Sequence, residues 1–325
     1  MHWSDKEKGA HADMELKQIE NILAIAAEGS ISRAAERLFL TQSALNQQLL
    51  KLEKEIGMPL FERRKHSMIP TEAGQIYLEG AREILQIKEN TYKKLNDLHQ
   101  EGHGTISIAY TPERGADMFS EVFPVFHMLY PDIRFRTKEL RNKQMEQALV
   151  NKEVDLACST FTDGQQDPRF SYIASIKEEI VLGVPASHPL AYLTGENSAE
   201  RLPEVDLSLF KDTQFMLAAP ETKSSDIEAE IFRTAGFQPK VLYTSSGSKT
   251  RIRSVKAQLA CAFFPAFYVD QDAPIVYFTV KPHIHWYSAV AYRKGSYLSV
   301  PELVLVDLTR KYNMRVRNFK SIQTS

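Results

Sequence analysis

Little in this chain can build a covalent or metal framework. Its 325 residues hold two cysteines, Cys158 and Cys261, far apart in sequence, which excludes a disulfide scaffold or a zinc-type spacing. Both sit in apolar runs, where a free cysteine reads as a small core residue. His283 and His285 fall on one face of a strand without a third ligand nearby, so no metal is expected. No apolar run approaches the ~18 residues that span a bilayer, and a membrane partner is not expected. Charge of one sign is missing too. Lys+Arg at 40 against Asp+Glu at 41 leaves a net charge of −1, which excludes a globally basic nucleic-acid coat while leaving room for a local patch. Gly-x-Ser-x-Gly, the P-loop and Gly-x-Gly-x-x-Gly are absent, and no nucleophile–base pair stands out. Neither catalysis nor a cofactor is expected. Met1 to Asp13 form a polar extension with no apolar core of a secretory signal. A reduced, soluble, cytoplasmic protein is the expectation.

What is present is an ordinary globular composition, 43% hydrophobic and 25% charged, long enough for two or three domains of the usual ~100–200 residues. Residues 14–100 read as helical. Leu16, Ile19, Ile22, Leu23 and Ala26 share a helical face that Gly29 ends. Ser32 is the expected N-cap of a short helix through Leu38, and Thr41 that of a third. In the third helix Leu45, Leu49, Leu52 and Ile56 form the apolar stripe, with Gly57 and Pro59 as the stop pair. Residues 60–70 suit a hairpin or wing. Thr71 caps a long helix to about Gln100, roughly 45 Å at 1.5 Å per residue.

Beyond Gly102–Gly104 short apolar runs (Ile106–Tyr110, Ile133–Phe135, Val154–Cys158) alternate with helical stretches, the pattern of βαβ units. A second set starts near Phe170 with Ile180–Val184, Gln214–Leu217, Val241–Tyr243 and Leu259–Phe264. Pro274–Val280, His285–Tyr292 and a helix at 301–313 close the chain. The count predicts a helical domain followed by two α/β lobes.

The short helix, the turn at Phe39–Leu40 and the next helix make a helix-turn-helix, whose second helix enters the major groove with its N-terminal residues on base edges. Those residues are Thr41, Gln42, Ser43, Asn46 and Gln47, and no carboxylate occurs from Thr41 through Lys51. Hydroxyls and amides are the groups that read bases. A solvated amphipathic helix is the plainer alternative from these residues alone. Around it, residues 41–70 carry Lys51, Lys54, Arg63, Arg64 and Lys65 against Glu53, Glu55 and Glu62.

The stretch MELKQIENILAIAAEGSISRAAERLFLTQSALNQQLLKLEKEIGMPLFER, followed by Thr71-Glu72-Ala73-Gly74, closely resembles the N-terminal winged helix-turn-helix of LysR-type transcriptional regulators. The weaker resemblance of the rest extends to about residue 315. It implies an all-α winged helix-turn-helix (14–70), a linker and dimerisation helix (71–100), and a two-lobed, periplasmic-binding-protein-like α/β effector domain. Lobe I is then expected at 104–164 and 271–315, lobe II at 165–270, with hinges near 161–166 and 268–273. The implied partners are double-stranded DNA, a small-molecule effector that could be anionic, RNA polymerase, and a second or further copies in a homodimer or homotetramer. Ser32, Arg33, Lys51, Arg63, Arg64 and Lys65 join the recognition-helix residues as DNA-binding candidates. Two departures are visible: Thr41-Gln42-Ser43 where the family often has Ser-Gln-Pro, and Gln47 where it often has Arg. A two-lobed enzyme or solute-binding protein with a helical appendage is the competing class. A constitutive DNA-binding repressor without effector sensing is the third.

On the long helix Leu78, Ala81, Leu85, Tyr92 and Leu95 form a seam interrupted by Lys88. The resemblance makes it a subunit interface; packing on the chain's own domain is the alternative. In the effector domain the family plan points to Tyr110, Thr111, Pro112, Arg141, Asn142, Ser159, Thr160, Ser245 and Ser246 at the interlobe cleft, with Arg114 and Arg141 adding charge. Ordinary loop and cap roles are the alternative for each. Where the family commonly has Gly-Leu-Gly, this chain has Gln258-Leu259-Ala260, which predicts a narrower or differently shaped pocket.

Overall fold

A computed structural model describes residues 15–64, 67–99, 104–162, 164, 166–194, 202–220 and 222–322. The chain divides into two compact units, Met1–Leu98 and His99–Ser325. The polar extension and Lys65 lie outside the described residues.

In the first unit α1 (Leu16–Glu28) ends at Gly29, whose φ of 57° is the left-handed conformation glycine adopts freely. Helix α2 (Ile31–Arg37) follows at once. Its cap is Ser30, whose Oγ accepts from Arg33 N, so Ser32 is a residue inside the helix and not its cap. With Gly29 closing α1, only Ser30 remains between the two helices. Phe39, at φ 55°, makes the turn. Helix α3 (Gln42–Ile56) is capped by the Thr41 hydroxyl, buries Leu45, Leu49 and Leu52, and stops at Gly57. Strands β1 (Phe61–Arg64) and β2 (Ser67–Pro70) pair antiparallel as the wing.

The Thr-Glu-Ala-Gly stretch has a physical cause. Thr71 Oγ1 accepts from Gly74 N at 3.0 Å and donates to Pro59 O at 2.7 Å, starting α4 (Glu72–His99) against the wing. A Cβ on Gly74 would lie 1.9 Å from Leu60 O, so only glycine fits there.

Helix α4 presents two apolar faces. Leu78, Ala81 and Leu85 belong to the core of their own unit with Ile19, Ile22, Leu45 and Leu49, which corrects the seam: these three are covered within the unit and cannot face a second subunit. Tyr92 and Leu95 are exposed, and the uncovered stripe is Ile76, Ile84, Ile87, Leu95 and Leu98. Lys88 interrupts the inner face because it pairs with Glu20 of α1 at 3.1 Å.

The second unit begins with β3 (Gly104–Tyr110), α5 (Arg114–Leu129), β4 (Ile133–Glu139), α6 (Asn142–Val150) and β5 (Leu156–Thr162). Strand β3 runs parallel to β4 and β5 on either side. The next strand, β6 (Phe170–Pro185), is sixteen residues long. Then come β7 (Gln214–Ala218), α7 (Lys223–Ala235), β8 (Lys240–Ser245), α8 (Ser248–Lys256), β9 (Ala262–Pro265), β10 (Ile275–Phe278), β11 (His285–Arg293) and α9 (Val300–Ile322). The large sheet has the order β10-β6-β11-β5-β3-β4, with β9 also on β6, and β7 and β8 form a parallel pair.

Strand β6 serves both lobes. Its first part pairs with β11 through Glu179, and its last part pairs with β9 and β10 from Ile180 to Pro185. The chain therefore crosses within β6 near Glu178–Ile180 and returns at Ile284–His285, where Ile180 N bonds Ile284 O. This moves the expected hinges from 161–166 and 268–273. Residues 166–178 belong with lobe I, and 271–284 with lobe II. Each lobe has its own core, one around Ile106, Phe126 and Leu156, the other around Phe215, Phe232 and Phe263.

Candidate functional site

Two places in the fold gather the predicted site residues. The first is the face of α3 beside the wing. Thr41, Gln42, Ser43 and Gln47 are exposed, while Asn46 is half-buried at the side nearest the wing. The wing is fastened to α3 at two points two helical turns apart. Glu53 Oε1 accepts from Leu60 N at 2.8 Å and Phe61 N at 3.2 Å, and Arg63 Nη1 donates to Asn46 Oδ1 at 2.9 Å. Arg63 also lies 4.0 Å from Glu53. Behind α3, buried Asn21 donates to Gln48 Oε1 at 2.5 Å, fixing the helix on α1.

The other cations are exposed and lightly held. Lys51 pairs with Glu55 at 3.7 Å and Arg64 with Glu62 at 3.1 Å. Arg33 lies 3.9 Å from Glu28 and donates to its carbonyl. Surface pairs of this kind are worth about 0–1 kcal/mol, so exchanging a carboxylate for a phosphate costs little. Ser32 is exposed on α2.

The second place is the carboxyl edge of the strands in the two lobes. Tyr110 at the end of β3 is in register with Glu139, the end of β4, and with Cys158 of β5, so Ser159 and Thr160 lie at the same edge as the loops after β3 and β4, but within β5 and not in the expected loop. Asn142 Nδ2 donates to Thr160 Oγ1 at 2.8 Å, and its Oδ1 accepts from Ser159 Oγ and Thr160 N, both at 3.2 Å. Those three predicted residues are thus one network. Thr111 Oγ1 accepts from Gly115 N at 3.2 Å in the first turn of α5. Tyr110 is buried and stacks on Phe119. Pro112, Arg141 and Ser246 are exposed, and Ser245 Oγ caps its own loop through Gly247 N.

The contacts that cross between lobes come from residues the sequence reading passed over. Lys223 Nζ, in the first turn of α7, donates to Thr160 O at 2.7 Å and approaches Glu146 at 3.3 Å. Glu113 accepts from Lys249 N at 3.3 Å in the first turn of α8, and Lys249 Nζ meets Asp117 at 2.7 Å. Their only local signal was a charged residue at a helix start: Glu113 at the N-cap of α5, Lys223 first in α7 and Lys249 second in α8.

Arg114 is not available as cleft charge. It pairs with Glu178 at 2.5 Å, stacks over Phe267 at 4.0 Å, and shares Glu178 with Trp286 Nε1. On the inner face of α8, Arg251 is 1% exposed and binds Glu228 at 2.5 Å and Phe263 O at 2.8 Å. Burial pushes the Glu228 carboxyl up to about 7, against the downward pull of Arg251 and the Ala218 N–H. A cavity of about 520 Å³ lies over Glu228, Phe232 and Phe237 within lobe II.

Gln258 holds φ 61°, in the left-handed region, and its side chain turns to Ser187 N at 2.9 Å and Pro274 O at 2.8 Å. Burial pushes the Cys158 and Cys261 thiols up to about 12, which keeps them protonated. Among the described residues no group of three or more His, Cys, Asp or Glu could hold a metal, and no helix is long and apolar enough to cross a membrane.

A winged helix-turn-helix on one unit and a two-lobed α/β domain on the other define a class of DNA-binding regulator. Residues 16–75 match the model of the bacterial regulatory helix-turn-helix protein of the lysR family, and residues 99–313 that of the LysR substrate binding domain. The chain belongs to the LysR family of transcriptional regulators. It is 24% identical to the HTH-type transcriptional regulator YcgK of Bacillus subtilis over 92% of this chain and 94% of that one. It is 29% identical to the Hca operon transcriptional activator HcaR of Escherichia coli over 55% and 60%. Full-length OxyR from Pseudomonas aeruginosa shares the fold with a TM-score of 0.62 and 21% identity, over 91% of this chain and 98% of that one. The effector binding domain of QuiR, solved with shikimate, aligns at a TM-score of 0.52 and 19% identity over 66% and 98%. The two family models, with YcgK and HcaR, are those of transcriptional regulators, which sets aside the enzyme and solute-binder alternative.

Proposed function

We propose that this regulator reads an operator through Thr41, Gln42, Ser43, Asn46 and Gln47 of α3, with Arg33, Lys51, Arg64 and Lys65 on phosphates. It works as a cytoplasmic homo-oligomer whose subunits meet along the Ile76–Leu98 stripe of α4, and it acts on transcription through RNA polymerase. Burying that stripe removes several large apolar side chains from water, at about 25 cal/mol per Å². Pairing also places two recognition helices for two half-sites.

The effector is a small anion taken at the carboxyl edge of both lobes. One observation carries this: Lys223 and Lys249 reach from lobe II to oxygen atoms of lobe I. An anion bound there competes with Glu146 and Asp117 for both ammonium groups. Ligands in open α/β sheets settle outside the carboxyl ends of strands. The occupied first turn of α8, already filled by Glu113, favours a second reading in which the lobes stay shut and the protein binds DNA constitutively.

A thermal-shift screen of small carboxylates, shikimate among them, followed by operator binding with and without each hit, separates the two. The first reading expects a hit that changes operator affinity and is lost in Lys223→Ala. Stabilisation by none of them, with operator affinity unchanged throughout, supports the constitutive reading.

A further inference from the structure

The contact between Arg63 and Asn46 limits what the recognition helix can read. A guanidinium carries only donors, so the atom of Asn46 that faces it at 2.9 Å must be the amide oxygen. Arg63 is held from its other side by Glu53, which is itself anchored to the wing backbone through Leu60 N and Phe61 N. The amide of Asn46 is therefore turned with its oxygen toward the wing and its NH₂ away from it.

We infer that Arg63 is a positioning residue that makes Asn46 a donor-only reader, selecting a base with acceptors on its major-groove edge, guanine first, and not adenine. The inference rests on α3 being the groove-reading helix. An asparagine free at both ends pairs with adenine by accepting from N6 and donating to N7. The amide oxygen keeps a second lone pair, but with Oδ1 turned to Arg63 it no longer lies beside the NH₂ on one base edge, so adenine keeps only its N7 contact and loses the one at N6. The two N–H groups that remain match guanine, which offers O6 and N7 side by side, whereas cytosine presents a donor. The sequence alone places Arg63 among the phosphate contacts; the geometry gives it a role in specificity.

The test uses the full chain and a library of random duplexes, with base preferences read position by position after selection. Wild type, Asn46→Ala, Asn46→Asp and Arg63→Ala are compared, each checked for an unchanged melting curve. Asn46→Ala should flatten the preference at one position per half-site, and wild type should favour guanine there over adenine by about tenfold. Asn46→Asp keeps an acceptor for Arg63 but has no donors, and should lose the guanine preference. Arg63→Ala frees Oδ1 and should move that position toward adenine, with the other positions unaltered. An adenine preference in wild type at the position Asn46→Ala flattens would overturn the inference. So would an Arg63→Ala protein weakened on every sequence alike with its pattern intact, which would make Arg63 a phosphate contact. A wild type that enriches no sequence at all would instead overturn the groove-reading role of α3, and the inference with it.

Discussion

Glu113 of lobe I accepts the backbone N–H of Lys249 in lobe II at 3.3 Å, and it does so from a backbone bent to φ 68° and ψ −98°. Such a conformation costs a non-glycine residue about 1–3 kcal/mol and persists where its surroundings enforce it. The approach is close: a Cβ on Gly247 would come within 2.5 Å of Glu113 Oε1. The carboxylate sits where the free N–H groups of a helix start favour negative charge.

Replacing Glu113 by glycine separates the two effects. Glu113→Gly removes the carboxylate and also relieves the backbone. Exchange of the Lys249 amide with solvent should rise at least about tenfold, while the melting temperature should not fall, because relief of about 1–3 kcal/mol offsets the lost contact. Hydrogen exchange with mass spectrometry reads the first and calorimetry the second. Unchanged exchange at Lys249 would show that Glu113 does not hold the lobes together.

The two faces of α4 predict opposite phenotypes from neighbouring residues. Leu85 is 8% exposed and packs within its own unit, whereas Ile87 is 66% exposed on the outer stripe. Leu85→Asp buries an unpaired carboxylate and should unfold the first unit. Ile87→Asp should leave that unit folded and shift the protein to smaller species. Light scattering with circular dichroism distinguishes them, and an Ile87→Asp protein of unchanged mass would place the subunit contact elsewhere.

How far the sequence was readable differs between neighbouring features for physical reasons. Thr41, Gly57, Thr71 and the wing were legible because caps, stops and tight hairpins are local in sequence. Serine is a favoured capping residue at either position, and choosing Ser30 over Ser32 needs the helix phase that Gly29 imposes. On α4 periodicity shows apolar faces without saying which one meets the unit's own core, and only burial places Leu78, Ala81 and Leu85 there. Strand β6 is legible only at Ile180–Val184, since its first half is broken by Ser171, Ser175, Lys177, Glu178 and Glu179 and holds no apolar run longer than Tyr172–Ala174. Lys223, Glu113 and the commitment of Arg114 to Glu178 arise from contacts between distant segments, which spacing does not reveal.

His283 makes the stability of the second unit sensitive to pH. Its Nδ1 meets Glu179 at 2.6 Å and its Nε2 meets Glu204 at 2.8 Å, joining the β6 crossing to lobe II. The bonds to Glu179 and Glu204 raise the imidazole above its usual value, while Lys281 and then His283 lower Glu204. The histidine's contribution is complete below its unfolded pKa of about 6.5 and is lost as pH rises through the raised value. That of Glu204 is present above about 4.3 and lost as pH falls through its lowered value. Between these limits the cluster is at full strength. Melting temperatures of wild type and His283→Gln should therefore converge as pH rises past neutrality, and parallel curves would remove His283 from the pH response. A histidine titration by NMR gives the direction of the shift independently.

Gln42, exposed at the first position of α3, is the most direct probe of base reading by this helix. The measurement is binding of a selected operator and a scrambled duplex, each at two salt concentrations, by wild type, Gln42→Ala and Arg64→Ala. Gln42→Ala should lose about tenfold or more on the operator and little on the scrambled duplex, since a base contact is worth about 1–3 kcal/mol. Arg64→Ala should weaken both duplexes alike and lower the salt slope by about one. An equal loss on both duplexes for Gln42→Ala would contradict the account.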